Sequence, residues 1–198
     1  MKTLPCSLVG IALLGALLFP SLTHARLGDD EAALKKRFGE GTVIPPDQRP
    51  STDLGLWKVF DTVLVFEKSG ITITAGLANG VCEAIVYEAP QPKAKTQPEA
   101  SDKPIESLSW TDLMTLLSRN AGTDGWQPSY GNTFESWQRL DKTAFARIEG
   151  MRTNSQVGEG RRLLITSSTI FSSWDDFRSG TFSAKFLQDQ SSPNLKDF

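Results

Sequence analysis

The spacing of hydrophobic and polar positions predicts the same order of elements twice along the chain. Residues 27–39 have the pattern of a short helix, because Leu34 and Phe38 lie on one face. Asp29 is the expected N-cap, and Gly39 is placed to end the helix. Acidic residues come first and basic residues last, which complements the helix dipole.

Strand patterns follow this helix. Residues 71–75 alternate between apolar and hydroxyl side chains, which is typical of a half-buried strand. The pair Asn79-Gly80 predicts a two-residue hairpin turn. We therefore expect an antiparallel meander packed on the first helix. Its predicted strands are residues 56–66, with a bend at Asp61, residues 71–75 and residues 81–87.

The second half repeats this order after a proline-rich segment. Residues 90–104 contain four Pro and no aromatic residue, so we expect an exposed linker or long loop. Ser109 and Asp112 have the spacing of a capping box and predict the start of a second helix. The expected buried stripe of this helix consists of Leu113, Leu116 and Leu117.

Further strands are expected after the second helix. Pro128 has no N–H donor, so we expect its strand at a sheet edge. The polar segment after Gly180 is expected to be a loosely docked or frayed tail. The predicted strands are residues 126–129, 134–140, 143–148 and 162–167, followed by a short helix that opens at residues 173–177.

This order of elements predicts an α+β fold built from two helix-plus-antiparallel-meander units. The repetition suggests a structural duplication. The predicted organisation is a signal peptide at 1–25, unit one at 26–89, the linker at 90–104, unit two at 105–177 and a C-terminal tail at 178–198.

The start of the chain has the pattern of a cleavable secretory signal peptide. Lys2 supplies a positive charge, residues 8–19 form an apolar run, and Ala25 ends a small-residue cleavage pattern. A membrane anchor is the alternative, but this run is shorter than the roughly 20 residues that span a bilayer. Cys6 precedes the run, so it is not at a lipidation junction. We expect a periplasmic or extracellular protein without a transmembrane anchor in its mature chain.

Removal of this leader leaves little reactive chemistry. His24, the single His of the chain, and Cys6 leave with it, so Cys82 is the remaining cysteine. Lys2 is one of 21 Lys and Arg residues, so 20 remain against 23 Asp and Glu. This mildly acidic balance argues against nucleic acid as a partner. One cysteine cannot form a disulfide within the chain, and we expect Cys82 to be a small buried hydrophobe.

The familiar catalytic motifs do not occur in the mature sequence. Without His, Ser-His-Asp and Cys-His catalysis and His/Cys zinc sites are excluded. The Gly-x-Ser-x-Gly, Ser-x-x-Lys and P-loop motifs are also missing. Hydrolysis by a pair of carboxylates remains open, but the sequence does not say which two would act together. We therefore assign no catalytic, cofactor-binding or metal-binding residues and no cofactor.

Aromatic residues suggest one candidate binding surface. Trp126 and Trp137 flank a loop rich in Gly, Tyr and Asn at residues 125–132. Because Trp and Tyr are frequent at the centres of binding interfaces, Trp126, Tyr130 and Trp137 form the candidate surface. The alternative is that both Trp rings pack on the second helix.

Short motifs in the first unit resemble known exported proteins. The pattern LG-x5-L-xx-RFG at residues 27–39, with GITI at 70–73 and the Asn79-Gly80 turn, resembles the α+β unit of SmpA/OmlA-type outer-membrane assembly lipoproteins. The tandem arrangement resembles secreted β-lactamase-inhibitor proteins, and the chain is similar to uncharacterised exported bacterial proteins that begin RLG…RYG. The lipoprotein Cys and the paired Cys of the inhibitors are missing here. The resemblance implies a fold and assigns no functional residue.

These observations together predict an exported, non-enzymatic protein that binds another envelope or secreted protein. The alternative is a periplasmic carboxylate-based hydrolase or a small-ligand binder. Binding is preferred because of the export signal, the lack of catalytic motifs and the α+β resemblance.

Overall fold

The computed structural model of the protein describes residues 27–50, 53–89, 107–129, 136–149 and 159–191. The predicted signal peptide and the predicted linker lie outside these residues. The helices are α1 (Glu31–Phe38), α2 (Trp110–Arg119), α3 (Trp174–Ser179) and α4 (Ala184–Ser191), with 3-10 helices at Pro46–Gln48 and Asp53–Val59. The strands are β1 (Thr42–Val43), β2 (Thr62–Lys68), β3 (Ile71–Ala78), β4 (Val81–Glu88), β5 (Leu108–Ser109), β6 (Trp126–Pro128), β7 (Ser136–Arg139), β8 (Ala144–Glu149), β9 (Glu159–Gly160) and β10 (Arg162–Ser167).

One antiparallel sheet of eight strands contains the meanders of both halves of the sequence. Its order is β1-β2-β3-β4-β10-β8-β7-β6, and β5 pairs separately with β9. The two halves join where β4 pairs with β10, from Glu88 opposite Arg162 to Ala84 opposite Thr166. Pro128 lies on the outermost strand, as predicted. The structure confirms the α+β class, although it is mostly sheet.

Helices cover both faces of this sheet. On the α1/α2 face, Leu34 of α1 and Leu113 of α2 pack into one hydrophobic core. On the α3/α4 face, the 3-10 helix Asp53–Val59 packs with Phe177 of α3 and Phe186 of α4. Each core collects residues from both halves of the sequence, so the two predicted units share their cores.

Helix α1 begins one residue later than predicted. Its N-cap is Asp30, whose carboxylate accepts a backbone N–H at 2.7 Å. The prediction of Asp29 is wrong because Cys82 of β4 donates to the Asp29 carbonyl, and the Asp29 carboxylate pairs with Arg37 at 2.8 Å. Gly39 follows the helix with a φ of 94°, which favours glycine at this position.

Helix α2 forms as the sequence predicts. The Ser109 hydroxyl accepts the Asp112 N–H at 3.1 Å, and the Asp112 carboxylate accepts the Ser109 N–H at 3.2 Å. This confirms the capping box. Leu113 and Leu117 are buried, and Leu116 packs partly buried against the same core.

The structure contradicts the first half of the strand that was predicted at residues 56–66. Asp53–Val59 is a 3-10 helix, and β2 starts at Thr62. Gly55 has a φ of 80°, outside the range of a strand, and Trp57 is buried in the core of the α3/α4 face. The aromatic and β-branched residues of this segment reflect its burial in the core and not an extended backbone.

Two-residue turns connect the strands of the first meander. Ser69 and Gly70 join β2 to β3, and Asn79 and Gly80 join β3 to β4. The φ values of 52° at Asn79 and 77° at Gly80 confirm the predicted Asn-Gly hairpin. The register of β3 and β4 shifts near this turn, which leaves Glu83 without a directly opposite residue.

The segment after Gly180 is docked on the protein as far as residue 191. Phe182 stacks on Phe171 with 5.3 Å between ring centroids, and Phe186 of α4 is 2% exposed. The prediction of a loose tail is wrong for this part of the chain. Two phenylalanines within a polar sequence fill the α3/α4 face and hold the helix in place.

Candidate functional site

The predicted tryptophan surface consists largely of packing residues. Trp137 of β7 is 7% exposed and lies 6.2 Å from Trp110 of α2 between ring centroids. Trp126 of β6 is half-buried, and its indole Nε1 donates to the Leu117 carbonyl at 2.7 Å. Tyr130 lies outside the described residues. The two described rings thus pack against α2, and a binding role for this set stays a prediction.

Cys82 is a buried residue of the α1/α2 face. Its side chain is 0% exposed, and its thiol donates to the Ala84 carbonyl at 3.5 Å. Burial raises the pKa of the Cys82 thiol, so the reactive thiolate is disfavoured. The expectation of a small buried hydrophobe is confirmed.

Glu83, next to Cys82, is the one described carboxyl whose pKa is raised. It is half-buried at the register shift of β4, and burial raises its pKa. A carboxyl in this environment can hold a proton more readily than an exposed one.

Other carboxylates have structural partners. Arg139 Nε donates to both Asp141 oxygens at 3.0 Å, and the Thr143 N–H donates to Asp141 at 2.8 Å. Partial burial alone would raise the pKa of Asp141, but the Arg139 and Thr143 hydrogen bonds outweigh it and hold the pKa at about 2. Asp141 therefore stabilises the turn between β7 and β8.

A row of polar side chains crosses the α3/α4 face, and we call it the polar strip. Directly opposite residues connect it from strand to strand, so its members share one face. Val86, two residues before Glu88, and Leu164, two residues after Arg162, belong to the core of the α3/α4 face. Because residues two apart on a strand point to the same side, the row lies on this face. The polar strip consists of Glu67, Thr72, Glu88, Arg162 and Glu149.

Contacts between neighbours hold the polar strip in place. Thr72 donates its hydroxyl to Glu67 at 2.7 Å, and Arg162 Nε lies 2.5 Å from Glu149. Arg161 adds an ion pair with Glu88 at 3.8 Å. Burial lowers the pKa of Arg162, but arginine remains charged in proteins. The charges are therefore ordered before any partner arrives.

The polar strip is the half-open part of its sheet face. The side chain of Arg162 is 16% exposed and that of Glu149 is 25% exposed, whereas Leu164, two residues along β10, is 2% exposed. Arg147 lies at the border, with its guanidinium carbon 5.1 Å from the centroid of the Phe177 ring of α3, and also contacts Glu149. The described helices thus cover one half of this face and leave the strip accessible.

Sequence reasoning did not find the polar strip. The alternation of side chains along β4 and β10 assigns Glu88 and Arg162 to one side of each strand, and the sequence alone shows this alternation. Their adjacency depends on the pairing of β4 with β10, which joins distant parts of the sequence. No local pattern reports such a pairing.

Within the five described ranges, no group of three or more His, Cys, Asp or Glu side chains could hold a metal ion. The helices of this part of the chain are too short or too polar to cross a membrane. Comparison with known proteins found no family model, no curated protein and no solved structure that matches the chain.

Proposed function

We propose that the protein is exported and binds another envelope or secreted protein without catalysing a reaction, through the polar strip. The observation that carries this proposal is a row of polar and charged side chains, joined by hydrogen bonds and ion pairs, on the half-open part of the sheet. Side chains that are already fixed lose little conformational freedom on binding, so their contacts contribute more to affinity. Half-buried charges also favour a specific partner over others.

Charges of the polar strip and of the neighbouring Arg161 define the partner's surface. Glu67 is exposed at one end, on β2, and Arg161 stands beside Glu88 two strands away, with 45% of its side chain exposed. A complementary protein surface presents a cation to Glu67 and a carboxylate to Arg161. Such a contact weakens as salt is added, because exposed charges are screened.

Capture experiments with matched variants test this proposal. Thr74 is half-exposed on β3, two residues from Thr72 on the same face, so Thr74→Arg obstructs the strip. Thr111→Arg adds the same side chain at an exposed position of α2, on the opposite face. We expect the mature chain and Thr111→Arg to capture the same periplasmic or secreted protein, and Thr74→Arg to lose it.

Two results would contradict docking at the polar strip. One is the absence of any reproducible partner for the folded mature chain at low salt. The other is equal capture by Thr74→Arg and Thr111→Arg, when circular dichroism shows both variants to be folded. Capture that is insensitive to salt would also argue against a charged interface.

Export is part of the same proposal and is supported by the leader pattern. Mass spectrometry of the protein from its own cells should find a chain that begins after Ala25, in the periplasm or the medium. A cytoplasmic protein that retains residues 1–25 would contradict it.

A structural duplication is supported by the strand order. The four strands on one side of the sheet, β1 to β4, come from the first half of the sequence, and the four on the other side, β6, β7, β8 and β10, come from the second half. Each half also supplies one helix to the α1/α2 face. A relation to the tandem inhibitor proteins rests on this arrangement alone. We propose duplication as the origin of the fold.

The alternative function, a carboxylate-based hydrolase or small-ligand binder, rests on Glu83. A carboxyl with a raised pKa is suited to donate a proton in hydrolysis. If the purified protein hydrolyses a glycoside or ester, loss of that activity in Glu83→Gln would favour this alternative. Unchanged activity in Glu83→Gln would contradict this alternative.

A further inference from the structure

Asn79-Gly80 is the one Asn-Gly pair in the sequence, and it forms the tip of the β3–β4 hairpin. Both residues are exposed, and no heavy atom lies within 4 Å of the position that a Gly80 Cβ would take. We propose that this pair is a site of spontaneous deamidation whose rate is set by a hydrogen bond from the Asn79 N–H to Asp61. Neither protein binding nor export accounts for this pair.

The reaction needs only water and this dipeptide. The Gly80 backbone nitrogen loses its proton to hydroxide and attacks Cγ of the Asn79 side chain. A bond forms between Gly80 N and Cγ, the bond from Cγ to Nδ2 breaks, and the amide nitrogen leaves as ammonia. Water then opens the cyclic imide at one of its two carbonyls and gives aspartate or isoaspartate. Glycine favours the attack because it has no side chain to obstruct the approach.

The hairpin opposes this attack while it stays closed. Both residues have positive φ values, 52° and 77°, which define a tight two-residue turn. Ring closure requires rotation about the Asn79 Cα–C bond, and a closed turn does not permit that rotation. The reaction therefore proceeds from the fraction of molecules in which the turn is open.

Asp61 holds the turn closed. Its Oδ2 accepts the Asn79 N–H at 2.6 Å. Asp61 is itself anchored, because its N–H donates to the Leu77 carbonyl and its carbonyl accepts from Arg49, both at 3.0 Å. Loss of a hydrogen bond to a charged group increases the open fraction by about tenfold, and the deamidation rate rises in proportion.

Conversion changes the chemistry at this end of the sheet. The product carries a carboxylate beside that of Asp61, and isoaspartate also adds a methylene group to the backbone of the turn. Val81, the next residue, bridges to Asp30, the N-cap of α1. We expect the converted protein to unfold at a lower temperature than the fresh protein.

Incubation of the mature chain in mildly alkaline buffer tests this inference. Peptide mapping by mass spectrometry follows the amide-to-acid mass gain at Asn79, and isoaspartyl methyltransferase labelling identifies isoaspartate. We expect slow conversion in the native protein, about tenfold faster conversion in Asp61→Ala, and none at this position in Asn79→Gly. Asn79→Gly keeps a residue suited to positive φ and is the matched control.

Defined results would overturn the inference. The first is no conversion at Asn79 in the folded protein over a time in which the urea-unfolded chain converts fully. The second is equal rates for the native protein and folded Asp61→Ala. If Asp61→Ala does not fold, Asp61→Asn retains an acceptor oxygen and should convert close to the native rate. Conversion of Asp61→Asn at the rate of the unfolded chain would then be the refuting result.

Discussion

A buried arginine holds together the segment that connects β1 to β2. Arg49 is 8% exposed, and its guanidinium donates to backbone carbonyls only, as far as the described residues show. Nη1 donates to Phe60 at 2.6 Å and to Trp57 at 3.2 Å, and Nη2 donates to Asp61 at 3.0 Å. Nε donates to the Ile44 carbonyl at 3.5 Å, so Arg49→Ala removes the donor for four carbonyls at once.

The magnitude of this effect follows from the three shorter of these hydrogen bonds. A hydrogen bond to a charged group contributes about 1.5–3 kcal/mol, and the contributions within one cluster are less than additive. Water that enters the space left by the side chain restores some of the contacts. We expect Arg49→Ala to lower the free energy of unfolding by about 3–4 kcal/mol, a large part of the roughly 5–15 kcal/mol of a typical domain. Arg49→Lys should recover about 1 kcal/mol, because one ammonium reaches fewer carbonyls.

Urea unfolding followed by tryptophan fluorescence measures this effect. At about 2 kcal/mol per molar urea, the midpoint of Arg49→Ala should fall by about 1.5–2 M. Arg178→Ala is the control, because the Arg178 side chain is 74% exposed and its ion pair with Asp175 spans 3.4 Å. That control should change stability by less than about 0.5 kcal/mol. A midpoint for Arg49→Ala that matches the control would refute the reasoning.

Three further substitutions test packing, a buried hydroxyl and a half-buried carboxyl. A Cβ at position 76 would lie 2.4 Å from Cδ2 of Phe60, so Gly76→Ala should lower stability by about 2 kcal/mol. An unchanged melting temperature would show that the ring moves aside. The Thr166 hydroxyl is fully buried and has no hydrogen-bond partner among the described residues, so Thr166→Val should raise stability by about 1 kcal/mol. A loss of stability on urea unfolding would show that the hydroxyl is bonded. Because burial raises the pKa of Glu83 above its usual 4.5, the folded protein holds this proton more tightly than the unfolded chain. Stability therefore falls as the pH rises above about 4.5, and the advantage of Glu83→Gln should be present at neutral pH and disappear in acid. An advantage that stays constant across a pH series of unfolding curves would contradict this sign.

Short sequence motifs correctly predicted the elements that are held by contacts between residues close in sequence. The capping box of Ser109 and Asp112 starts α2 where expected, and Asn79-Gly80 forms the expected turn, because each depends on contacts between residues close in sequence. The strand predicted from residue 56 is a 3-10 helix as far as Val59, because the conformation of this segment depends on Arg49 and on the core of the α3/α4 face.

The candidate site was less predictable than the fold. The tryptophans were recognised as large aromatic groups, but the burial of Trp137 depends on how α2 packs over β7. The ion pair of Arg162 with Glu149 requires the register of β10 against β8. Both contacts depend on tertiary structure, which the alternation of polar and apolar residues along one strand does not specify.

The two outer strands of the sheet are its shortest. β1 has two residues, and β6 has three and ends in Pro128, which donates no N–H. Along these two edges, as far as the described residues show, a neighbouring molecule finds little unpaired backbone on which to add a strand. The edges of this sheet should consequently resist the strand addition by which fibrils grow, although most of the regular structure described is β-sheet.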